Sequence, residues 1–274
     1  MAPAVNQTPG GASRAARGRP TAVLAARNVS IRIGGRDLVK ELTLELSPGQ
    51  FVAVLGRNGS GKTLTLHTLA GMREPHRGTV TLNGKPLQQL GRRAVARSIG
   101  LLTQDFEDGF AGSVLESVLI SRHPHLALWQ WETAEDDRLA NEALAALDLT
   151  ALTQRRTDTL SGGERRRVAV AGLLAQQPAI YVLDEPTNHL DPHHQLAVLS
   201  LFHELTRRGH SVIAALHDAT LAARFADRAV LLFGDGRWVA GPARETISAR
   251  ALAELYLTPM EEIEKNGRRI FTPA

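Results

Sequence analysis

The sequence predicts an α/β fold in which a mostly parallel core sheet joins an N-terminal antiparallel β layer and an inserted helical subdomain. Four continuous apolar runs have the length and composition of buried parallel strands. Two glycine-containing turns separate short alternating segments early in the chain, which is typical of antiparallel hairpins. A long central block carries apolar residues at helical spacing. Together these patterns indicate the α/β class.

The predicted elements follow in order along the chain. The antiparallel layer is expected at 22–46, around the Gly34-Gly35 turn, and again around Asn83-Gly84. The parallel strands are expected at 51–55, 99–102, 180–183 and 212–216. The helical subdomain is expected at about 106–178, with one helix at 134–147. A late hairpin at 234–236 and a small helix at 247–256 complete the domain, and 261–274 is assigned to a C-terminal tail.

Composition excludes several classes of protein. The chain has no cysteine, so disulfides, thiolate catalysis and cysteine metal sites are excluded, and a reducing compartment such as the cytoplasm is expected. Three arginines in the first twenty residues supply most of the net charge of +4, which argues against a nucleic-acid partner for the nearly neutral body. We expect residues 1–20 to be a disordered basic tail, with an organelle-targeting peptide as the alternative. No apolar run is long enough to span a bilayer.

A phosphate-binding loop follows the first predicted parallel strand. Residues 56–63 match the pattern G-x-x-x-x-G-K-[ST] and directly precede a helical run, which is the context that this loop requires. Backbone N–H groups freed by the glycines can surround a β-phosphate, Lys62 can reach the β and γ oxygens, and Thr63 can ligate magnesium. The residues assigned to this site are Gly56, Asn58, Gly59, Ser60, Gly61, Lys62, Thr63 and Leu64. The pattern predicts a P-loop NTPase.

Two carboxylates end the third predicted parallel strand. Asp184 and Glu185 are weak evidence alone, because many strands end in acidic loop residues. Beside a phosphate loop, Asp184 lies where an acid would hold the water shell of magnesium, and Glu185 lies where a base could orient the attacking water. The pair therefore indicates nucleotide hydrolysis.

A second anion-binding sequence begins a later helix. Ser161, Gly162 and Gly163, followed by Glu164, place free N–H groups at a helix N-terminus, which can hold a phosphate. The arginines at 165–167 need form no more than a solvated face. With this sequence the chain resembles the ATP-binding cassette family over about residues 22–257, so that residues 21–260 are assigned to the cassette domain. The other family marks occur in order as Gln104, Asp191 and His217.

The resemblance implies roles for these residues. Ser161, Gly162 and Gly163 would contact a nucleotide that is held by the opposite subunit of a homodimer. Gln104 would link magnesium to a transmembrane permease, and His217 would contact the γ-phosphate and help to position water. The implied catalytic set is Glu185, His217 and Gln104. The implied magnesium set is Thr63, Gln104 and Asp184, and the implied cofactors are ATP and Mg²⁺. Asp191 would belong to the nucleotide-binding residues.

Two departures from the family pattern affect the nucleotide site. Leu64 stands where many relatives have a hydroxyl, so a side-chain contact to the α-phosphate is missing. Ile33 stands where the family usually places an aromatic residue against the adenine, and residues 1–50 contain no Phe, Tyr, Trp or His. Base recognition is therefore expected to be loose.

Phrases between the motifs narrow the resemblance to a subfamily. Residues 121–126, 135–137, 188–195 and 216–228 resemble the ATPases of importers for ferric siderophores, haem and cobalamin. The resemblance implies an ATPase on the cytoplasmic face of the membrane that drives two permease subunits and meets an extracytoplasmic substrate-binding protein only indirectly. Two alternatives stay open: a soluble, non-transport ATPase of the family, such as an assembly factor, and a nucleotide-binding module without turnover. Glu185 and His217 argue against the last.

Overall fold

The computed structural model describes residues 22–104, 112–127 and 129–274. The predicted basic tail at 1–20 lies outside these ranges. The described strands are β1 Leu24–Ile33, β2 Arg36–Leu46, β3 Phe51–Gly56, β4 Arg77–Leu82, β5 Lys85–Pro86, β6 Ile99–Leu102, β7 Ile180–Asp184, β8 Ser211–Ala215, β9 Arg228–Leu232, β10 Trp238–Pro242, β11 Met260–Lys265 and β12 Arg268–Pro273. The described α-helices are α1 Lys62–Leu69, α2 Arg92–Ser98, α3 Val114–Ile120, α4 Ala134–Ala145, α5 Gly162–Gln176, α6 Pro192–Arg207, α7 Ala219–Phe225, α8 Ala243–Thr246 and α9 Ala249–Tyr256.

Two sheets build the body of the molecule. The core sheet has the order β10-β9-β3-β8-β7-β6, and all neighbouring strands are parallel except β10, which returns antiparallel beside β9. The second sheet is antiparallel with the order β2-β1-β4-β5, joined by the turns after Ile33 and Leu82. The predicted α/β class, with a mostly parallel sheet and an N-terminal antiparallel layer, is confirmed.

The core sheet lies between two apolar layers, which explains its continuous apolar runs. Every residue of β3, β7 and β8 is buried. Alternate residues of β3 point to opposite faces: Phe51, Ala53 and Leu55 join the core beneath the larger helices, whereas Val52 and Val54 face α1 and the antiparallel sheet. A strand that is buried on both faces needs apolar side chains at every position.

Among the described residues between β6 and β7, the α-helices are α3, α4 and α5, and they pack against one another. Each begins with a capping box, in which the side chain of the N-cap residue and that of the third helical residue satisfy each other's backbone N–H groups. The N-cap residues are Ser113, Thr133 and Ser161. Within the described residues, none of the helices combines the length and the apolar character needed to cross a bilayer.

The C-terminal segment differs from the tail expected at 261–274. β11 and β12 form an antiparallel hairpin, and β12 packs on α7. Phe271 is buried there, and its N–H donates to the hydroxyl of Thr220 over 3.0 Å. The hairpin carries no clear sequence signal because β11 is exposed at nearly every position and so lacks apolar alternation.

Candidate nucleotide site

The candidate site lies at one edge of the core sheet. Because β3, β6, β7 and β8 are parallel neighbours, their carboxyl ends meet at this edge. The phosphate-binding loop follows β3, Gln104 follows β6, Asp184 and Glu185 end or follow β7, and His217 follows β8. The topology thus gathers four motifs that are as much as 160 residues apart in sequence.

The phosphate-binding loop closes tightly at the start of α1. Gly61 caps the helix in a left-handed conformation with φ of 97°, which a residue with a side chain rarely adopts. A Cβ atom on Gly56 would lie 2.3 Å from the hydroxyl oxygen of Ser60, so no other residue fits there without a shift. The glycines at these two positions are required by backbone geometry. The loop leaves N–H groups at a helix N-terminus, which is suited to an anion.

Lys62 is a buried cation inside this loop. Its Nζ donates to the carbonyl oxygen of Gly56 over 2.8 Å and lies 3.4 Å from that of Arg57. Burial lowers the pKa of Lys62, while the negative charges of Glu185 and Asp184 act in the opposite direction. An ammonium group with only neutral carbonyl partners at these distances gains from an anion placed at the loop.

Asp184 is fully buried, and neither of its carboxylate oxygens has a hydrogen-bond partner in the described part of the chain. Burial raises the pKa of this carboxyl. The hydroxyl of Thr63 lies near enough to this carboxylate to favour its charged form, and Thr63 and Gln104 both line the cleft described below, so the site offers a donor set of hydroxyl, amide and carboxylate oxygens. Such a set fits Mg²⁺, which prefers carboxylate, hydroxyl and water oxygens. The residues present therefore fit the implied ion.

Glu185 and His217 form a close pair. The Nε2 of His217 lies 2.5 Å from the Oε1 of Glu185, and the side chain of Asn188 donates to the other carboxylate oxygen. Glu185 is 6% exposed, whereas the side chain of His217 is 45% exposed. The backbone of Glu185 is left-handed, with φ of 51°, which is uncommon outside glycine and asparagine. A buried carboxylate is thus aimed at a partly exposed imidazole.

Lys62, Glu185 and His217 line a common cleft of about 390 Å³. It is lined by Leu38, Asn58, Gly59, Gly61, Lys62, Thr63, Leu64, Gln104, Glu185 and His217. Among these, Leu38 is a residue that sequence reasoning missed; it lies on β2 and touches Gly61, where a Cβ would be 3.3 Å from that of Leu38. Ile33 is not among the lining residues and is 47% exposed at the end of β1.

The second anion-binding sequence lies outside this cleft. Ser161 is the N-cap of α5, and its hydroxyl accepts from the N–H of Glu164. Gly162 and Gly163 approach the loop that follows β7, where a Cβ on Gly163 would lie 3.1 Å from the carbonyl oxygen of His189. This helix start therefore lies beside that loop, and Ser161, Gly162 and Gly163 are not among the residues that line the cleft around Lys62.

Asp191 lies at the end of that loop and caps α6. Its carboxylate accepts from the N–H of His194 over 2.9 Å, and it also contacts the Nδ1 of the same histidine. These hydrogen bonds lower the pKa of Asp191. Its observed contacts are therefore those of a helix cap, and it is not among the residues that line the cleft.

Arg166 contradicts the solvated face expected for residues 165–167. It is 3% exposed, and its guanidinium donates to the carbonyl oxygens of Asp184 and Glu185. Spacing alone could not have identified this burial, because residues 168–173 of α5 are all buried and the helix has no single apolar face. Asn188 likewise carries no periodic signal that would have identified its contact with Glu185.

Comparisons with known proteins agree on one family. The sequence profile described as "ABC transporter" matches residues 39–188. The ferric enterobactin transport ATP-binding protein FepC of Escherichia coli (strain K12) is 37% identical over 235 residues, covering 85% of this chain and 86% of the relative. The hemin import ATP-binding protein HmuV of Pseudomonas aeruginosa is 39% identical over 239 residues, covering 85% of this chain and 92% of the relative.

Solved structures give the same result. A chain from a transporter described as metal-chelate type, in an inward-facing conformation, superposes with a TM-score of 0.79 at 28% identity, covering 92% of this chain and 98% of the other. A dimeric ATP-binding cassette in a post-hydrolysis state, bound to ADP and phosphate, gives a TM-score of 0.71 at 26% identity, covering 81% of this chain and 99% of the other.

Proposed function

Because the chain belongs to the ABC transporter family and is one of its ATPase subunits, we propose that it powers the import of an iron chelate through a separate permease. The observation that carries the proposed ATP hydrolysis is the close pair of Glu185 and His217 at the cleft that holds Lys62. A nucleotide-binding module without turnover would have no use for a buried carboxylate aimed at an imidazole beside a phosphate-binding loop.

The chain's own groups divide the work of hydrolysis. Lys62 and the N–H groups of the loop hold the β and γ phosphates of ATP. Glu185 accepts a hydrogen bond from the attacking water and orients it toward the γ-phosphorus. His217 holds the γ-phosphate from the other side of the water and keeps the carboxylate in place through their contact. The side chain of Asn188 donates to the second carboxylate oxygen and so restricts rotation of the Glu185 carboxylate.

Thr63, Gln104 and Asp184 are the residues that would hold Mg²⁺. The bound ion would neutralise charge on the β and γ phosphate oxygens. Within the described residues, neither carboxylate oxygen of the buried Asp184 has a hydrogen-bond partner, which leaves both oxygens available to the ion and its water. Gln104 would link the nucleotide-bound state of the site to the permease.

The proposed mechanism requires a homodimer, in which two copies of the chain complete each nucleotide site. Ser161 and the N-terminus of α5 lie away from Lys62 of the same chain, so a second copy would have to bring its own helix start over the bound ATP. The dimeric cassette with ADP and phosphate, to which this chain is similar, supports that arrangement. The subunit would sit peripherally on the cytoplasmic face of the membrane, bound to permease subunits and serving an extracytoplasmic substrate-binding protein indirectly.

The substrate class rests on the relatives. Proteins named for ferric enterobactin, hemin and achromobactin transport are 34–39% identical to this chain. We therefore favour a ferric siderophore or haem as cargo, with cobalamin as the alternative from the sequence phrases. A soluble, non-transport ATPase is the second candidate function.

Reconstitution tests the proposal. The chain, its candidate permease and the binding protein are placed in proteoliposomes, and ATP-driven uptake of ferric enterobactin, haemin and cobalamin is measured, with Glu185→Gln as the blank. ATP-dependent uptake of either iron chelate is expected. Uptake of cobalamin alone would show that the transported compound is cobalamin and not an iron chelate. ATP hydrolysis by a chain that binds no permease would favour the soluble, non-transport ATPase.

A further inference from the structure

We infer that Arg166, which lies five residues after Ser161, is a positioning residue that holds the backbone of Glu185 and of Gln104 in their working conformations. The inference rests on the proposed function, because it concerns the same hydrolytic site. Arg166 does not line the nucleotide cleft and would not touch the substrate. It would act through the main chain of residues that do.

The guanidinium of Arg166 joins the ends of two core strands. Its Nη2 donates to the carbonyl oxygens of Asp184 over 2.6 Å and Glu185 over 2.7 Å. Its Nη1 donates to the carbonyl oxygen of Thr103 over 2.6 Å and lies 3.3 Å from that of Gln104. Its Nε lies 3.4 Å from the carbonyl oxygen of Pro186. A planar fork with five N–H donors is the side chain suited to several acceptors at once.

The contact with Glu185 is the important one, because the backbone of that residue is left-handed. Arg166 donates to the carbonyl oxygens of Asp184 and Glu185. These carbonyls belong to the two peptide groups that flank the Cα of Glu185. The N–H of Glu185 is held separately by the carbonyl oxygen of Ala215 over 3.2 Å. An unfavourable backbone conformation persists only where its surroundings fix it from several directions. Without the guanidinium, the buried carbonyls would lose their donors and the peptides could rotate.

Rotation of those peptides would redirect the Glu185 side chain away from His217 and the attacking water. Binding of ATP should change little, since Arg166 is not among the residues that line the cleft around Lys62. The expected signature is therefore a fall in kcat with nearly constant affinity for ATP. The same side chain also joins α5, which starts at the proposed contact with the partner's nucleotide, to the hydrolytic residues of its own subunit.

The test compares Arg166→Gln and Arg166→Lys with a matched control on the same helix. Arg167→Gln also removes an arginine that donates to a backbone carbonyl, that of Leu147 over 2.8 Å, but this bond lies within the helical insertion. Purified full chains are assayed for ATP affinity by equilibrium binding and for kcat at saturating ATP. We expect Arg166→Gln to lower kcat by about 10- to 100-fold, with the Kd for ATP changed by less than about threefold.

The conservative variant and a double mutant separate positioning from general loss of structure. Lysine supplies one compact ammonium that cannot hold both strand ends, so Arg166→Lys should give an intermediate kcat with unchanged affinity. In a Glu185→Gln background, Arg166→Gln should slow the residual hydrolysis by much less than it slows the wild type, because Glu185 is already disabled and only the effect through Gln104 remains.

Two results would overturn the inference: a kcat within about twofold of wild type in folded Arg166→Gln, or full additivity in the double mutant. If Arg166→Gln does not fold, a wild-type kcat in Arg166→Lys has the same meaning. Absence of hydrolysis in both the wild type and Arg167→Gln would instead remove the proposed function, and the inference with it.

Discussion

The Nε of Arg122 donates to the Oδ1 of Asp136 over 2.7 Å, and both side chains are more than nine-tenths buried. The same guanidinium donates to the carbonyl oxygen of Ala175. The pair therefore fastens the chain after α3 to the first turn of α4 and to the end of α5. Such a buried pair is costly to break from one side, because the remaining charge loses its partner.

Asp136→Asn should lower the free energy of unfolding in a pH-dependent way. Burial alone would raise the pKa of Asp136, but hydrogen bonds from Thr133 and Arg122 outweigh it and lower the pKa to about 2. A folded-state pKa of about 2, against an unfolded value of about 3.9, contributes about 2.6 kcal/mol, which is present in full above about pH 5 and is lost as pH falls to about 2 and below. Urea unfolding of both proteins at several pH values should show a gap that narrows toward pH 2.

Asp137→Asn is the matched control for that prediction. Asp137 is exposed in the same first helical turn and lacks the arginine partner. Its substitution should cost less than about 1 kcal/mol, the scale of an exposed charge near a helix N-terminus. Equal losses in the two variants would mean that the buried pair contributes nothing specific.

Glu185→Gln should separate binding of ATP from its hydrolysis. Glutamine keeps the size and one acceptor oxygen of the side chain but cannot take a proton, so hydrolysis should fall by about 100-fold or more. ATP should then trap the closed dimer, visible by sizing chromatography with ATP and magnesium. Glu204→Gln on the exposed face of α6 is the control and should hydrolyse normally. A strictly monomeric Glu185→Gln profile would count against the dimer mechanism.

Mixing two inactive variants should partly restore activity if the sites are shared between subunits. Lys62→Ala removes the buried cation that holds the phosphates, and Ser161→Arg blocks the helix start that serves the neighbour's nucleotide. A mixed dimer then has one site with both lesions and one with neither. With random pairing and independent sites, the mixture should reach roughly a quarter of the wild-type ATPase rate.

Each variant must be shown to be folded before mixing, because Ser161 also caps α5 and its loss costs about 1 kcal/mol. Thermal unfolding of the separate proteins provides that check, and Lys40→Ala, on the exposed part of β2, controls for loss of a lysine. No recovery despite demonstrated mixed dimers would argue for sites contained in one chain or for obligatory coupling between them.

The sequence predicts this fold well where local pattern and burial agree. Four of the six core strands were predicted as continuous apolar runs, which they are because both sheet faces are covered, whereas β9, the parallel neighbour of β3, was missed as a parallel strand. The phosphate-binding loop has a fixed spacing that backbone geometry demands. Prediction from the sequence fails where function depends on contacts between segments that are distant in the chain. The carbonyl oxygens that meet Arg166 lie 18 to 63 residues away from it, so no local pattern could reveal them. β11 could not be predicted for a different reason: it is exposed at nearly every position, so its sequence shows no apolar alternation.

Ile33 should make recognition of the nucleotide base weak. It is 47% exposed at the end of β1, where the family usually has an aromatic residue, and Leu38 of the adjoining strand lines the cleft. Two aliphatic side chains can cover a base by apolar contact but offer no ring for stacking, which is worth about 1–3 kcal/mol per base. GTP should therefore support hydrolysis within about tenfold of ATP.

Ile33→Tyr tests the same point in the opposite direction. A phenol ring should add stacking and tighten ATP binding by about 1 kcal/mol, the low end of the range because isoleucine already makes apolar contact. That change is about a fivefold lower Kd, which titration of wild type and variant with ATP and GTP would resolve. Val239→Tyr, at an equally exposed aliphatic residue on β10, is the control for a surface tyrosine. A strong ATP preference in the wild type, or no gain from tyrosine at position 33, would mean that other residues hold the base.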